Sequence, residues 1–189
     1  MHHRLALFSL AAAALAASQS ACAEKMRFDT LERGRTELTV TAGLGENHRI
    51  PDSVKDIFSF GVLKARYGWF KSPRTAAGVE FSYEEPDTDN NNKAATCVLT
   101  FRRYFMIRGS TALAWDVGIG LTQFSRKISM SGTRTNFTEI AGLTMERAIG
   151  PASAVTVEYR FSHTSNANLA TPNVGINASM LGAGISWYH

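Results

Sequence analysis

A period of two constrains this chain more than any other feature of its sequence. After residue 23 the sequence breaks into runs of about ten residues, rich in Thr, Val, Phe, Tyr and Gly and separated by turn residues. Eight runs are read: Arg35–Gly45, Ile57–Phe70, Ala76–Glu84, Ala94–Ile107, Thr111–Ser125, Asn136–Arg147, Ala154–Thr164 and Ala178–Tyr188. Alternation is clearest in the last three. Val155, Val157, Tyr159 and Phe161 oppose Thr156, Glu158, Arg160 and Ser162. Leu181, Ala183, Ile185 and Trp187 oppose Gly182, Gly184 and Ser186, and Phe137, Ala141, Leu143 and Met145 oppose Thr138, Thr144 and Glu146. Successive side chains of a strand point to opposite faces, so each run carries one apolar and one polar face.

Either a soluble sandwich or a membrane barrel accepts that pattern. Three features favour the barrel. The runs reach the roughly 9–11 residues that a tilted membrane-crossing strand needs. Aromatic residues gather toward run ends (Tyr67, Trp69 and Phe70; Trp187 and Tyr188), where an interfacial girdle is expected. The connectors also alternate in length. Glu46–Asp56, Glu85–Lys93, Arg126–Thr135 and Ser165–Asn177 are long, whereas Lys71–Thr75, Arg108–Ser110 and Ala148–Ser153 are short. Long loops on one side and tight turns on the other mark bacterial outer-membrane barrels. The expected fold is all-β, an eight-stranded antiparallel transmembrane β-barrel. Glu146, Glu158, Arg147, Arg160 and Asp116 are expected to fill its narrow interior with ion pairs, leaving no pore.

The N-terminus agrees with export. Met1-His2-His3-Arg4 is a basic start, Leu5 to Ala17 an apolar core, and Ala21-Cys22-Ala23 an A-x-A cleavage signature. Two domains of the chain follow: a signal peptide over 1–23 and a single barrel domain over 24–189. An apolar core of ~13 residues is too short for a spanning helix. Lipidation at Cys22 is the alternative to cleavage after Ala23. With cleavage, Cys97 is the sole mature cysteine, and the charge is 19 − 16 = +3 once Arg4 is removed from 20 basic and 16 acidic residues. The histidines show no metal-ligand spacing such as H-E-x-x-H, so no metal or other cofactor is expected.

One constellation carries chemistry. The seventh run ends Phe161-Ser162-His163-Thr164-Ser165-Asn166-Ala167. His163 and Ser165 are two apart and therefore share a face, as a nucleophile and its general base require. Their parity is that of Val157, Tyr159 and Phe161, the lipid face, where polar groups are costly without a purpose. Asn177 has the parity of Leu181 and Ile185, and pairing of the last two strands brings it opposite His163–Ser165. Glu139 shares the outward parity of Phe137 and Leu143, and simple pairing puts it near Ser162 and His163. A site on this wall opens sideways to the outer leaflet, so its substrate is expected to be a lipid.

The string His163-Thr164-Ser165-Asn166-Ala167, followed by Pro172-Asn173-Val174-Gly175-Ile176-Asn177, resembles the H-x-S-N-A … P-N-x-G-I-E signature of the lipid A 3-O-deacylase (acyloxyacyl hydrolase) family. Asn136 to Gly142 also resembles the family's strand before the motif. The resemblance implies an outer-membrane enzyme that hydrolyses the ester-linked 3-hydroxyacyl chain at position 3 of lipid A. By position it makes Ser165 the nucleophile and His163 the general base. The family acid falls on Asn177, a departure, with Glu139 as the fallback carboxylate. Asn166 and Asn173 match family asparagines and are expected to order the loop or help bind the oxyanion. A second departure is the C-terminus, where His189 follows the terminal aromatic Tyr188.

The reading is a serine esterase of the Gram-negative outer membrane with its active site in the outer leaflet. Its expected partners are lipid A (lipopolysaccharide) and the outer membrane, with no nucleic acid, and a homodimer is left open. Arg126, Lys127 and Arg134 flank an outer loop within reach of lipid A phosphates. The rivals are a non-catalytic small barrel for adhesion or membrane integrity, and an esterase or acyltransferase acting on phospholipid. A non-catalytic barrel would leave His163 and Ser165 without a mutual hydrogen bond or on different faces.

Overall fold

The computed structural model describes residues 24–48, 57–86, 92–128 and 131–189. The expected signal peptide, with Cys22, and parts of three long connectors lie outside the described residues. Eight antiparallel strands form a closed barrel in chain order: β1 (Thr36–His48), β2 (Ser59–Ser72), β3 (Thr75–Pro86), β4 (Ala94–Arg108), β5 (Thr111–Phe124), β6 (Thr135–Gly150), β7 (Ser153–Ser165) and β8 (Ile176–Tyr188). The eight runs and their order agree with the sequence reading. Most strand ends extend by one to three residues, because pairing continues past the membrane-length core into long and short connectors alike. The short connections shrink to two-residue turns, such as Pro73-Arg74 between β2 and β3.

The register sets the geometry of the wall. One row of paired residues runs Leu38, Tyr67, Val79, Leu99, Ile119, Glu139, His163, Asn177 and back to β1 at His48. It closes 48 − 38 = 10 residues further along β1 than it began. The row therefore climbs as it circles, as strand tilt and stagger require of a closed sheet. β1 runs from the short-turn, periplasmic end toward the long loops. Leu38 consequently lies deep, and Glu139, His163, Asn177 and His48 lie at the row's outer end.

The outward face is apolar and uncovered: Leu99, Ile119 and Leu181 expose 63%, 66% and 63% of their surface. Val157, Tyr159, Phe161 and Ile185 also face outward, none of them in a buried core. A folded chain leaves so much aliphatic surface open only where lipid covers it.

The interior is polar and packed. Arg102 donates from Nε to Asp116 Oδ1 at 2.7 Å and from Nη1 to Glu37 Oε1 at 3.1 Å and Glu146 Oε1 at 3.3 Å. Arg66 pairs with Glu37, Arg160 pairs with Glu80, and Lys64 donates to Glu158 Oε2 at 2.7 Å. Above these, Thr96, Thr122, Thr138 and Thr164 form a hydroxyl chain across four strands. At the periplasmic end Met26, Phe28 and Leu31 pack against Phe70, Tyr104 and Tyr188.

Two expectations are corrected here. Arg147 is exposed on the outer face and donates to Thr111 Oγ1, because its neighbour Glu146 takes the inward position and alternation forbids both. Phe70 and Tyr188 are not girdle residues: each is 1% exposed and belongs to the cluster that closes the periplasmic mouth.

Replacing Arg102 with Leu strips Asp116, Glu37 and Glu146 of a shared buried cation. Breaking such a pair from one side costs about 3–5 kcal/mol. The urea midpoint of the detergent-folded barrel, read by its gel mobility, is expected to fall accordingly. A loss below about 1 kcal/mol would contradict the assigned network.

Candidate active site

The site stands at the outer end of β6, β7 and β8. β7 places His163 and Ser165 on one outward face, as parity requires. Pairing sets Glu139 on one side of His163 and Asn177 on the other. Asn177 is buried and His163 half-buried, with His163 Nδ1 2.9 Å from Asn177 Oδ1. An amide oxygen only accepts, so this contact fixes the proton on Nδ1 and leaves Nε2 with its lone pair free to act as a base.

Ser165 Oγ has no side-chain partner among the described residues, and the expected His163–Ser165 hydrogen bond is not formed. The reason is geometric: residues two apart on a strand are separated by about 6.6 Å, so an imidazole must lean along the strand to reach the next serine. The ring packs over Gly175: a Cβ built there would collide with His163 Cε1 and lie 3.1 Å from Nε2 and 3.3 Å from Nδ1. Gly175 directly precedes β8, where Ile176 pairs with Thr164. The missing bond is what the non-catalytic barrel predicts, whereas the shared face is what the esterase predicts; bonds of this kind are also often open in unliganded sites and close with substrate.

Glu139 is exposed and makes no hydrogen bond or ion pair among the described residues. Of the two candidates for the third position, only Asn177 touches the imidazole. The asparagines hold the connection that follows. Asn166 is buried; its backbone N–H donates to Asn173 Oδ1 at 3.0 Å. Its side-chain Nδ2 donates to the carbonyls of Ser131 at 2.5 Å, Ala170 at 2.8 Å and Pro172 at 3.2 Å. Asn173 Nδ2 donates to Asn168 Oδ1 at 2.9 Å. Ala167 and Asn168 between them take left-handed backbone angles, φ 53° and 63°. A left-handed alanine costs about 1–2 kcal/mol, which the loop's hydrogen bonds offset. The donors of both asparagine side chains are engaged in the loop.

Sequence reasoning assigned no role to Gly175, although it lies within the motif, and it passed over His48 and Ser179. His48 pairs with Asn177 from the β1 side, and its Nε2 lies 2.6 Å from Ser179 Oγ. No motif announces a contact between residues 131 apart in the chain.

Residues 58–186 match the family model described as Lipid A 3-O-deacylase (PagL). No curated protein matches. Among solved structures, Neisserial surface protein A is similar with a TM-score of 0.67 and 12% identity, covering 82% of this chain and 99% of that one. The outer membrane enzyme PagL is similar with a TM-score of 0.60 and 19% identity, covering 78% and 97%. The outer membrane protein OprG from Pseudomonas aeruginosa gives 0.54 and 8%, covering 84% and 97%. At these identities the structural likenesses speak for the barrel alone, and the family match is what singles out one kind of barrel.

Gly175→Ala is expected to displace the His163 ring while the barrel still folds. Ester hydrolysis should fall about 100-fold, the scale of a displaced general base, with heat-modifiable gel migration retained. Undiminished hydrolysis would show that the ring does not work from its place over Gly175.

Proposed function

The chain belongs to the lipid A 3-O-deacylase family of outer-membrane β-barrels, and on that premise we propose that it is a serine esterase that removes the ester-linked 3-hydroxyacyl chain from position 3 of lipid A. What supports this reading is the family match together with the imidazole of His163, hydrogen-bonded at Nδ1 to Asn177 and packed over Gly175, on the same lipid-facing strand face as Ser165.

The reaction follows from those three side chains. Ser165 Oγ attacks the ester carbonyl carbon while its proton passes to His163 Nε2. The sugar oxygen leaves, taking that proton, and the acyl group stays on Ser165. Water then attacks the acyl-enzyme with His163 again as base, and a 3-hydroxy fatty acid departs. Asn177 Oδ1 holds the Nδ1–H throughout, a positioning that an amide supplies as in Cys-His-Asn proteases. It adds no negative charge to stabilise the imidazolium. The exposed Arg126, Lys127 and Arg134 stand at the outer rim, where lipid A phosphates would lie. Residues 1–23 act in this reading as the export signal, and the mature chain starts at Glu24. Every residue of the site comes from one chain, so no second copy is required.

Release of free 3-hydroxy fatty acid from lipid A in detergent micelles tests the assignment. Ser165→Ala and His163→Ala should each abolish release from a folded barrel, and full activity in either would sink it. Asn177→Glu is expected to raise the rate about 10-fold, because a paired carboxylate lowers the barrier by about 1.4 kcal/mol or more. Glu139→Gln should change it little, since Glu139 does not touch the ring. If Glu139→Gln is crippling and Asn177→Glu gains nothing, the third member is Glu139.

A further inference from the structure

A second serine and histidine meet on the same wall. Ser179, on β8, lies two residues below Asn177 toward the bilayer, about 6.6 Å along the strand. It faces outward with the parity of Leu181 and pairs with Phe161 of β7 and Glu46 of β1. Its Oγ is held by side chains from both neighbouring strands: 2.6 Å from His48 Nε2 and 2.9 Å from Tyr159 Oη. The His48 ring lies parallel to the Phe161 ring, with centroids 6.5 Å apart and planes 3° apart. A polar side chain on a lipid-facing strand needs hydrogen-bond partners, and here a histidine and a tyrosine supply them; a serine hydroxyl held against an imidazole Nε2 is also the contact that a nucleophile and its base require. Immediately below, Leu44 and Leu181 pair and are 50% and 63% exposed, an apolar floor suited to an acyl chain.

We propose that Ser179, with His48 as its base, is a second nucleophilic centre for carboxylic esters of membrane lipids. This rests on the reading of the outer wall as the face that meets such esters, but not on Ser165. In the proton arrangement required, His48 carries its proton on Nδ1, Ser179 donates to Nε2, and Tyr159 donates to Ser179. Ser179 Oγ attacks the ester carbonyl carbon and its proton moves to His48 Nε2. The bond to the alcohol oxygen breaks, and His48 returns the proton to that oxygen as it leaves. Water, deprotonated by His48, then cleaves the acyl-Ser179 bond, the proton returns to Ser179 Oγ, and a carboxylic acid departs. Tyr159 Oη, already within 2.9 Å of the nucleophile, is placed to donate to the oxyanion that forms beside it.

The test is site-resolved labelling. The full-length protein, folded in detergent micelles, is treated with an alkyl fluorophosphonate, which phosphonylates an activated serine with loss of fluoride. Adducts are located by peptide mass mapping, with heat-modifiable migration as the folding control. The expected result is an adduct on Ser179 in the wild type and in Ser165→Ala. Its formation should slow about 100-fold in His48→Gln, the scale of a lost general base. Folded wild-type protein that takes no label at Ser179, or labelling there that ignores His48→Gln, overturns the proposal. Label at Ser165 alone overturns it while sustaining the main site; label at Ser179 alone sustains it and removes Ser165 from the chemistry.

Discussion

An eight-stranded barrel is narrow enough for side chains alone to fill it, and the filling decides where chemistry can occur. In this chain the filling is ionic. Arg102 gathers Asp116, Glu37 and Glu146, while Lys64 and Arg160 share Glu158 and Glu80. Charges so buried are tolerated because each has partners from several strands. The periplasmic mouth is sealed by Phe28, Phe70, Tyr104 and Tyr188. No cleft enters the molecule by that route. The outside wall, by contrast, is open, and what it meets is lipid.

Closure of the sheet then concentrates polar groups at one place on that wall. Because the paired row climbs ten residues in one circuit, its outer end carries Glu139, His163, Asn177 and His48 side by side, whereas its deep end carries Leu38, Tyr67 and Val79. The row thus passes from hydrocarbon to the interface where ester bonds lie. Asn177 sits between two histidines, tied by a hydrogen bond to one of them. On the proposed assignment of Asn177 to the family's acid position, the amide is a change in charge more than in architecture: it touches the imidazole at Nδ1 and brings no anion.

Much of this is legible in the sequence, and the failures have particular causes. The period of two announces eight strands because one side of each must be apolar. The pairing of His163 with Glu139 follows from parity and counting across a tight turn, and that with Asn177 from parity once the long Ser165–Asn177 connection is taken to close. The charge of Arg147 suggests an inward place, although Glu146 beside it already occupies the inward position. Phe70 and Tyr188 look like girdle aromatics until residues 26–31 are seen to turn into the periplasmic mouth, a tertiary contact with no local signal. Parity also says nothing about the several ångströms between residues two apart, hence the open Ser165. His48 and Ser179 meet only because β1 closes on β8.

The central claim is that this wall removes one acyl chain from lipid A. The most direct measurement is the mass spectrum of lipid A from Gram-negative cells producing the wild-type protein, beside cells producing Ser165→Ala at equal outer-membrane abundance. The account predicts a lipid A species lighter by one 3-hydroxyacyl chain, missing from position 3, in the first and its absence in the second. Identical spectra, with folded barrel in both membranes, would contradict it.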